Sequence, residues 1–303
     1  MPHSDDAFAI WWEDFARHLA RKQRSESTVR IYRQSYDYFT SFARARGLAS
    51  PVEVTTAVLN RWIEHEQDKG IATNTVALRY RNLRPFFAWY AKEERVANPA
   101  DGVDVPAEVV TPPPLLHTDD ARAMVAACDG RDFTDVRDRA IIWVLWDTGV
   151  RLGELLAMDL DAWDRRTDTL RADGKTGLRY VDLSPSTGEV LSRYLRVRET
   201  HPKAARSKAL WLGRKGPLGA SGLSSMLERR ARQAGIDHVH PHLFRHTFSH
   251  IFRLQGGSEG DLMQLAGWKS TAMAHRYGAS AAAERARATH RAMAPGDMLD
   301  ETG

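Results

Sequence analysis

Hydrophobic residues in the first hundred positions recur at three- and four-residue spacing, which is the repeat of an amphipathic helix. Four such segments follow one another, and we predict one helix for each, with Ser25 or Ser27 as N-cap of the second. Four amphipathic helices joined by short loops predict a small helical bundle. The hydrophobic positions are Phe8, Trp11, Trp12, Phe15 and Leu19, then Val29, Tyr32, Tyr36, Phe39 and Ala43, then Leu59, Trp62 and Ile63, and finally Val76, Tyr80, Leu83, Phe87 and Tyr90.

Residues 99–116 differ in composition from the chain on either side. They contain five prolines, and proline lacks a backbone N–H and does not fit inside helices. We therefore predict an extended linker over residues 99–116. It separates a helical N-terminal domain, residues 1–98, from a second domain, residues 117–303.

The pattern after the linker is mixed. Residues 118–120 are typical of a helix start, and a strongly apolar helix is predicted over about residues 137–148. Between residues 169 and 183, two short strand-like runs flank a glycine-containing turn, which predicts a β-hairpin with Lys175 near its tip. From Pro185 onward the chain is mostly helical. The predicted fold class is mainly α, with a mixed α+β second domain that carries a small β-hairpin sheet.

Composition excludes several classes of protein. The longest uninterrupted apolar run, residues 140–146, is far shorter than the ~20 residues that span a bilayer, so we expect no membrane partner. Asp5 and Asp6 stand where a signal peptide carries positive charge, and the single cysteine, Cys128, suits a reducing compartment. We expect a cytoplasmic protein. The net charge of +4 is weak support for nucleic-acid binding, although arginine, the better bidentate phosphate ligand, greatly outnumbers lysine.

Four separated segments carry side chains that suit phosphate chemistry. A glycine turn in TGVRLGELL delivers Arg151 to a helix start, and DGKTG places Lys175 where it can act as a general acid. In HLFRHTF, His242 and Arg245 share one side of a helix at i, i+3. The segment LAGW is followed by Tyr277, nine residues after its tryptophan.

The histidines of the third segment also raise the question of a metal site. His242, His246 and His250 recur at i, i+4 and i+8 on one helical face. However, no HExxH glutamate or cysteine pair accompanies them, and the charge of Arg245 in the same turn opposes a cation. We expect no metal here.

Together, in this order and spacing, the segments resemble the tyrosine recombinase (phage integrase) family. TGVRLGELL is similar to the family's first arginine box, GKTGLRYVDL to its lysine hairpin, HLFRHTF to its His-x-x-Arg box, and LAGW with Tyr277 to its nucleophile segment. The N-terminal part resembles the family's core-binding (SAM-like) domain, and residues 117–303 resemble its catalytic domain. Trp268 stands where the family more often has His, and the lysine hairpin is one residue shorter than in common Xer-type sequences.

The resemblance implies a site-specific DNA recombinase that works without a cofactor. It cleaves through a 3′-phosphotyrosyl intermediate and exchanges strands through a Holliday junction. Six positions match the family's catalytic set, and a seventh lies one helical turn beyond the first arginine. They are Tyr277 as nucleophile, Arg151, Arg245 and Trp268 as donors to the phosphate, His242 to position the tyrosine or accept its proton, Lys175 to protonate the leaving oxygen, and Glu154 to orient Arg151.

The implied partners are double-stranded DNA, which would hold the protein at the nucleoid, and further copies of the chain in a tetramer on DNA. The family also allows for an accessory directionality factor. It uses a basic tail helix, here residues 281–293, docked on a neighbouring subunit; the alternative for this tail is a C-terminal helix packed on its own subunit. DNA-binding candidates are Arg30 and Gln34, opposite the apolar face of the second helix, and Asn74 and Arg81 on the fourth. The alternative for these four is an ordinary solvated face.

Several functions share these motifs. Trp268 and the segment AHRYGAS favour an integrase of a phage or mobile element. A Xer-type chromosome-dimer resolvase is the alternative, because it contains all of the same motifs. A type IB topoisomerase shares the chemistry but needs no paired target sites. A non-catalytic DNA-binding relative is disfavoured because all six catalytic positions are filled.

Overall fold

Helices dominate the computed structural model, which describes residues 6–107, 113–174 and 177–293 but not the side chains of residues 272–281 and 283. The chain divides into two units, Met1–Thr111 and Pro112–Gly303. Within the described residues, all strands belong to the second unit. The predicted class, mainly α with a small sheet, is confirmed. No helix in these ranges is both long and apolar enough to cross a bilayer.

All four predicted helices form in the first unit. Asp6 and Ser25 cap the first two, each accepting a hydrogen bond from a backbone N–H three residues on at 3.3 Å, so the caps satisfy donors that a helix start leaves open. A short 3-10 turn, Pro51–Glu53, precedes the third. The helices are α1 (Ala7–Arg21), α2 (Glu26–Ala45), α3 (Thr56–Asp68) and α4 (Thr73–Glu94).

Aromatic side chains fill the core of the first unit. Phe39 lies at its centre, edge-on to Trp62 at 5.6 Å and to Phe87 at 5.3 Å between ring centroids. Tyr36 donates its hydroxyl to the carbonyl of Phe8 at 2.7 Å, and burial raises the pKa of that phenol. Edge-to-face pairs of this kind stabilise the core beyond what the buried area of each large ring contributes. The apolar faces read from the sequence therefore point inward.

The two ends of the predicted linker, residues 99–116, are each hydrogen-bonded to a different unit. Tyr80 donates its hydroxyl to the carbonyl of Ala100 at 2.7 Å, which fixes the start of the segment to the first unit. At its other end, the backbone N–H of buried Leu116 donates to Thr247 at 2.8 Å in the second unit. Proline content predicts extended backbone, but it cannot predict these hydrogen bonds because their partners are distant in sequence.

The second unit has helices around two small antiparallel sheets. The three-stranded sheet has the order β1-β2-β3, and β2 pairs with β3 from Thr169 opposite Asp182 to Gly174 opposite Gly177. This is the predicted hairpin, and its tip, residues 175–176, lies outside the described residues. The elements are α5 (Thr118–Ala126), α6 (Phe133–Thr148), α7 (Leu152–Ala157), β1 (Trp163–Asp164), β2 (Thr169–Gly174), β3 (Gly177–Asp182), α8 (Pro185–Glu199), β4 (Leu212–Gly213), β5 (Gly216–Pro217), α9 (Ala220–Gln233), α10 (Pro241–Leu254), α11 (Glu259–Ala266) and α12 (Thr271–Met293).

Two helices differ in extent from the sequence prediction. Helix α6 begins at Phe133, four residues before the predicted start, because the Asp132 side chain caps it by accepting from the N–H of Asp135 at 2.8 Å. The predicted tail helix over residues 281–293 is the second half of α12, so Tyr277 and the tail belong to one continuous helix.

A buried ionic cluster joins α6 to α9. The Asp138 carboxylate is fully buried and accepts from Arg137 Nε at 3.0 Å, Arg230 Nε at 2.9 Å and Arg229 Nη2 at 2.7 Å. Burying these charges costs desolvation free energy. Removing one partner destabilises the fold further, because it leaves buried charge without a counter-charge.

We expect Asp138→Ala to lower the free energy of unfolding by about 3–5 kcal/mol, because three guanidiniums lose their buried counter-charge. The matched control is Asp119→Ala, whose pair with Arg122 is exposed on α5 and should cost less than about 1 kcal/mol. Urea unfolding measures both. Equal effects of the two substitutions would show that the cluster is not a structural anchor.

Candidate active site

Arg151 immediately precedes α7 and is held by Glu154 in the first turn of that helix. Glu154 Oε2 accepts from the Arg151 backbone N–H at 2.8 Å, and Oε1 accepts from Arg151 Nη1 at 2.8 Å. A glutamate three residues after the N-cap residue is the spacing of a capping box. One carboxylate therefore both starts the helix and fixes the plane of the guanidinium.

Arg245 lies on α10 with 2% of its surface exposed. Its Nη1 donates to the carbonyl of Gly149 at 2.8 Å, Nη2 donates to the carbonyl of Ala266, and its guanidinium carbon lies 5.2 Å from the ring centroid of Trp268. Gly149 has a left-handed φ of 56°, and a Cβ there would lie 2.8 Å from the ring of Phe248. The turn that receives Arg245 therefore requires glycine.

The two arginines meet at the C-terminal turn of α11, although they are far apart in sequence. Arg151 Nη2 donates to the carbonyl of Gly267 at 3.1 Å, and Arg245 donates to the neighbouring carbonyl of Ala266. Gly267 ends α11 in the left-handed conformation. The last carbonyls of a helix lack intrahelical donors and carry the negative end of its dipole, so they attract guanidinium groups.

Arg179 on β3 also belongs to this arrangement, although it is not among the residues predicted from the sequence motifs. Its Nη1 lies 2.6 Å from Glu154 Oε1, and its Nε donates to the carbonyl of Leu265 at 2.6 Å. Leu178 and Tyr180 on either side are exposed, whereas Arg179 is 9% exposed. Strand alternation was the available signal, since side chains of successive residues point to opposite faces.

Glu154 is charged at all ordinary pH values. Burial raises its pKa, but hydrogen bonds from the Arg179 side chain and from the Arg151 backbone and side chain outweigh burial and lower the pKa from 4.5 to about 2. The Glu154 side chain packs against Gly174 on β2. A Cβ at that position would lie 2.7 Å from Glu154 Cγ, so the glycine leaves room for the carboxylate.

His242 lies in the first turn of α10, one turn before Arg245, and its side chain is exposed on one side. Desolvation of its other side lowers the pKa of the imidazole, and the charges of His240, Arg245 and Arg151 act in the same direction. A neutral imidazole at neutral pH can accept a proton.

The remaining predicted site residues differ in how the structure places them. Trp268 is buried against Leu262 and Ala266, beside the guanidinium of Arg245. Lys175 lies outside the described residues. Tyr277 belongs to α12, which packs against α10. The side chain of Tyr277 is among those that the structure does not describe. For these last two residues the predicted roles stay predictions.

The four DNA-binding candidates all lie at exposed positions of the first unit, Arg30 and Gln34 on α2 and Asn74 and Arg81 on α4. Gln34 donates to the hydroxyl of Tyr38, one helical turn on, at 3.4 Å.

The histidines considered for a metal all lie on α10. His250 Nε2 lies 3.5 Å from a carboxylate oxygen of Glu284 on α12. In the described part of the chain, no group of three or more His, Cys, Asp or Glu residues is placed to hold a metal ion.

Comparison with known proteins adds an independent line of support. The phage integrase family profile matches residues 114–284, and the phage integrase N-terminal SAM-like domain matches residues 12–94. Tyrosine recombinase XerC of Chromobacterium violaceum is 32% identical over 252 residues, which cover 82% of this chain and 81% of that protein. XerC of Shigella flexneri serotype 5b is 28% identical over 257 residues, covering 82% and 84%.

Solved structures share the fold. The Tn1549 transposon integrase in complex with transposon right end DNA superposes with a TM-score of 0.73 at 18% identity, over 95% of this chain and 99% of that chain. A lambda integrase dimer bound to a core site superposes with a TM-score of 0.68 at 19% identity, covering 89% and 76%.

The chain therefore belongs to the phage integrase family, the tyrosine recombinases. It is a site-specific DNA recombinase with a SAM-like N-terminal domain, as its motifs predict.

Glu154 should stabilise the folded protein in a pH-dependent manner. Because its pKa is about 2 in the fold against an ordinary 4.5, its contribution is complete above about pH 4.5 and is lost as the pH falls towards about 2. In acid titrations followed by urea unfolding, the wild type should lose stability more steeply over this window than Glu154→Gln. Glu189→Gln, at an exposed position on α8, should keep the wild-type slope. Identical slopes for the wild type and Glu154→Gln would contradict the assignment.

Proposed function

We propose that this recombinase cleaves DNA with Tyr277 as its nucleophile. The phenol oxygen bonds to the scissile phosphorus as the bond from phosphorus to the 5′-oxygen breaks, leaving a 3′-phosphotyrosyl link and a 5′-hydroxyl. The link conserves the phosphodiester bond energy, so attack by the 5′-hydroxyl of another strand rejoins DNA without ATP or another cofactor. The position of Tyr277 supports this role, because α12 packs against the helix that carries His242 and Arg245.

The observation that carries the proposal is the convergence of Arg151 and Arg245 on adjacent carbonyls. Negative charge grows on the non-bridging oxygens as phosphorus becomes pentacoordinate. A guanidinium stays ionised and presents paired donors in one plane, which match two oxygens of a phosphate. Because Glu154 and the α11 carbonyls fix these planes before DNA binds, the donors need little reorganisation in the transition state.

Proton transfer falls to two other residues. His242, held neutral by desolvation and nearby positive charge, accepts the phenol proton or positions the phenol. Lys175, predicted at the tip between β2 and β3, protonates the departing 5′-oxygen. Trp268 adds its indole N–H as a donor to the same phosphate.

The first unit contributes DNA binding through α2 and α4. Arg30 and Arg81 carry charge that suits the phosphate backbone, while the amides of Gln34 and Asn74 suit base edges. Their exposure on two helices supports this proposal.

In the cell we place the protein in the cytoplasm, as an integrase of a phage or mobile element. It assembles as a tetramer on two DNA sites and exchanges strands through a Holliday junction, with an accessory factor setting direction. A Xer-type resolvase is the second candidate, supported by 32% identity to a XerC protein over four fifths of the chain. Attachment-like repeats beside the gene would favour the integrase, and their absence from both flanks would favour the resolvase.

Tyr277→Phe should retain DNA binding and lose covalent capture on a nicked suicide duplex, because only the hydroxyl is removed. The adduct is measured by denaturing gel electrophoresis with labelled DNA. The control is Tyr180→Phe, a tyrosine of the same unit that is 60% exposed on β3, which should form the adduct normally. A covalent adduct with Tyr277→Phe would overturn the choice of nucleophile.

A further inference from the structure

Three consecutive carbonyls at the end of α11 each accept an arginine. Leu265 accepts from Arg179 Nε at 2.6 Å, Ala266 from Arg245, and Gly267 from Arg151 Nη2 at 3.1 Å. The arginines come from three different parts of the second unit, namely β3, α10 and the residue before α7. Arg245 and Arg151 have a proposed role at the phosphate, whereas Arg179 has none.

We propose that Arg179 is a positioning residue for strand cleavage, which holds Arg151 in place from behind through Glu154 and through the end of α11. The proposal rests on the proposed function, since it presumes that Arg151 binds the scissile phosphate. Arg179 itself is 9% exposed, so it acts through its neighbours.

The first connection is a shared carboxylate oxygen. Glu154 Oε1 accepts a hydrogen bond from Arg151 Nη1 at 2.8 Å and forms an ion pair with Arg179 Nη1 at 2.6 Å. Glu154 is 2% exposed, so water cannot replace Arg179 as its partner. Without Arg179, the buried carboxylate either turns towards Arg151 or takes up a proton, and both changes alter the plane of the Arg151 guanidinium.

The second connection is the backbone of α11. Arg179 fixes Leu265, and the next two carbonyls are those that receive the phosphate-binding arginines. A shift of this turn moves both guanidiniums, and a displacement of about 1 Å can slow a reaction by about 10²-fold.

Stability alone does not account for an arginine at this position. Val181, two residues on and on the same face of β3, is buried as an apolar side chain. Replacing a buried ion pair by a well-packed apolar residue is often neutral or stabilising. The presence of an arginine here is explained by the two groups that it fixes, the Glu154 carboxylate and the Leu265 carbonyl.

The test compares Arg179→Met, which keeps length but removes charge, with Arg179→Lys, which keeps charge but lacks the planar fork. In single-turnover cleavage of the nicked duplex, we expect a loss of about 10²-fold for Met and about 10-fold for Lys, with DNA affinity within about threefold of wild type. Arg171→Met is the matched control, an arginine on neighbouring β2 whose side chain is 41% exposed and pairs with Asp159.

The pH dependence separates positioning from a merely structural role. Among the residues that the structure describes, the charged partners of Glu154 are Arg179 and Arg151, and losing Arg179 raises the pKa of Glu154. The rate of Arg179→Met relative to wild type should therefore fall further as the pH is lowered from about 8 to about 5, whereas the relative rate of Arg179→Lys should stay constant. His242 also titrates, and Arg151 influences its pKa, so the comparison of Arg179→Met with Arg179→Lys assigns the fall in rate to the lost charge beside Glu154.

Three results would overturn the proposal: wild-type cleavage by folded Arg179→Met, a loss of rate that is equal at every pH, or full activity of Arg179→Lys if Arg179→Met does not fold.

Parallel reactions with wild type and Tyr277→Phe keep the two proposals distinct. A wild type that forms no adduct, or an adduct with Tyr277→Phe, refutes the proposed function. A normal Tyr277-dependent adduct with unchanged Arg179 variants refutes only the role of Arg179.

Discussion

The site depends on the attraction between guanidinium groups and the open carbonyls at the C-terminal end of α11. Like charges repel, so three arginines gather only where negative partners are fixed among them. Here those partners are the carbonyls of residues 265–267 and the carboxylate of Glu154. A helix end supplies such carbonyls without any dedicated side chain, and Gly267 ends the helix where they are needed.

Close approach of separate elements makes this arrangement possible. Gly149 and Gly174 lie where a side chain would collide with Phe248 and Glu154 respectively, so each glycine makes room for that neighbouring side chain. Elsewhere, the Asp138 cluster joins α6 to α9 and so steadies the helix that leads into Gly149 and Arg151. Rigid supports of this kind suit a reaction in which charge must be met by donors already in place.

Local patterns predicted much of the fold, and motif spacing singled out Arg151 and Arg245, which the structure brings to adjacent carbonyls. Helical periodicity predicted α1 to α4, and two strand-like runs around a glycine turn predicted the hairpin, because each of these signals spans only a short stretch of sequence. The contacts of Arg179 with Glu154 and Leu265 were missed because they join segments distant in sequence. The hydrogen bonds of Tyr80 and Thr247 at the two ends of residues 99–116 were not predictable for the same reason. Tyr277 and Lys175 were predicted by spacing and resemblance, and their roles await direct tests.

A structure of Tyr277→Phe bound to an uncleaved duplex tests the central claim most directly. The measured quantities are the distances from the guanidinium nitrogens of Arg151 and Arg245 to the non-bridging oxygens of the scissile phosphate. If the α11 turn fixes both arginines for one phosphate, both sets of distances should be about 3 Å while the carbonyl contacts persist. Arginines bound to different phosphates, or a scissile phosphate out of reach of both, would contradict the account.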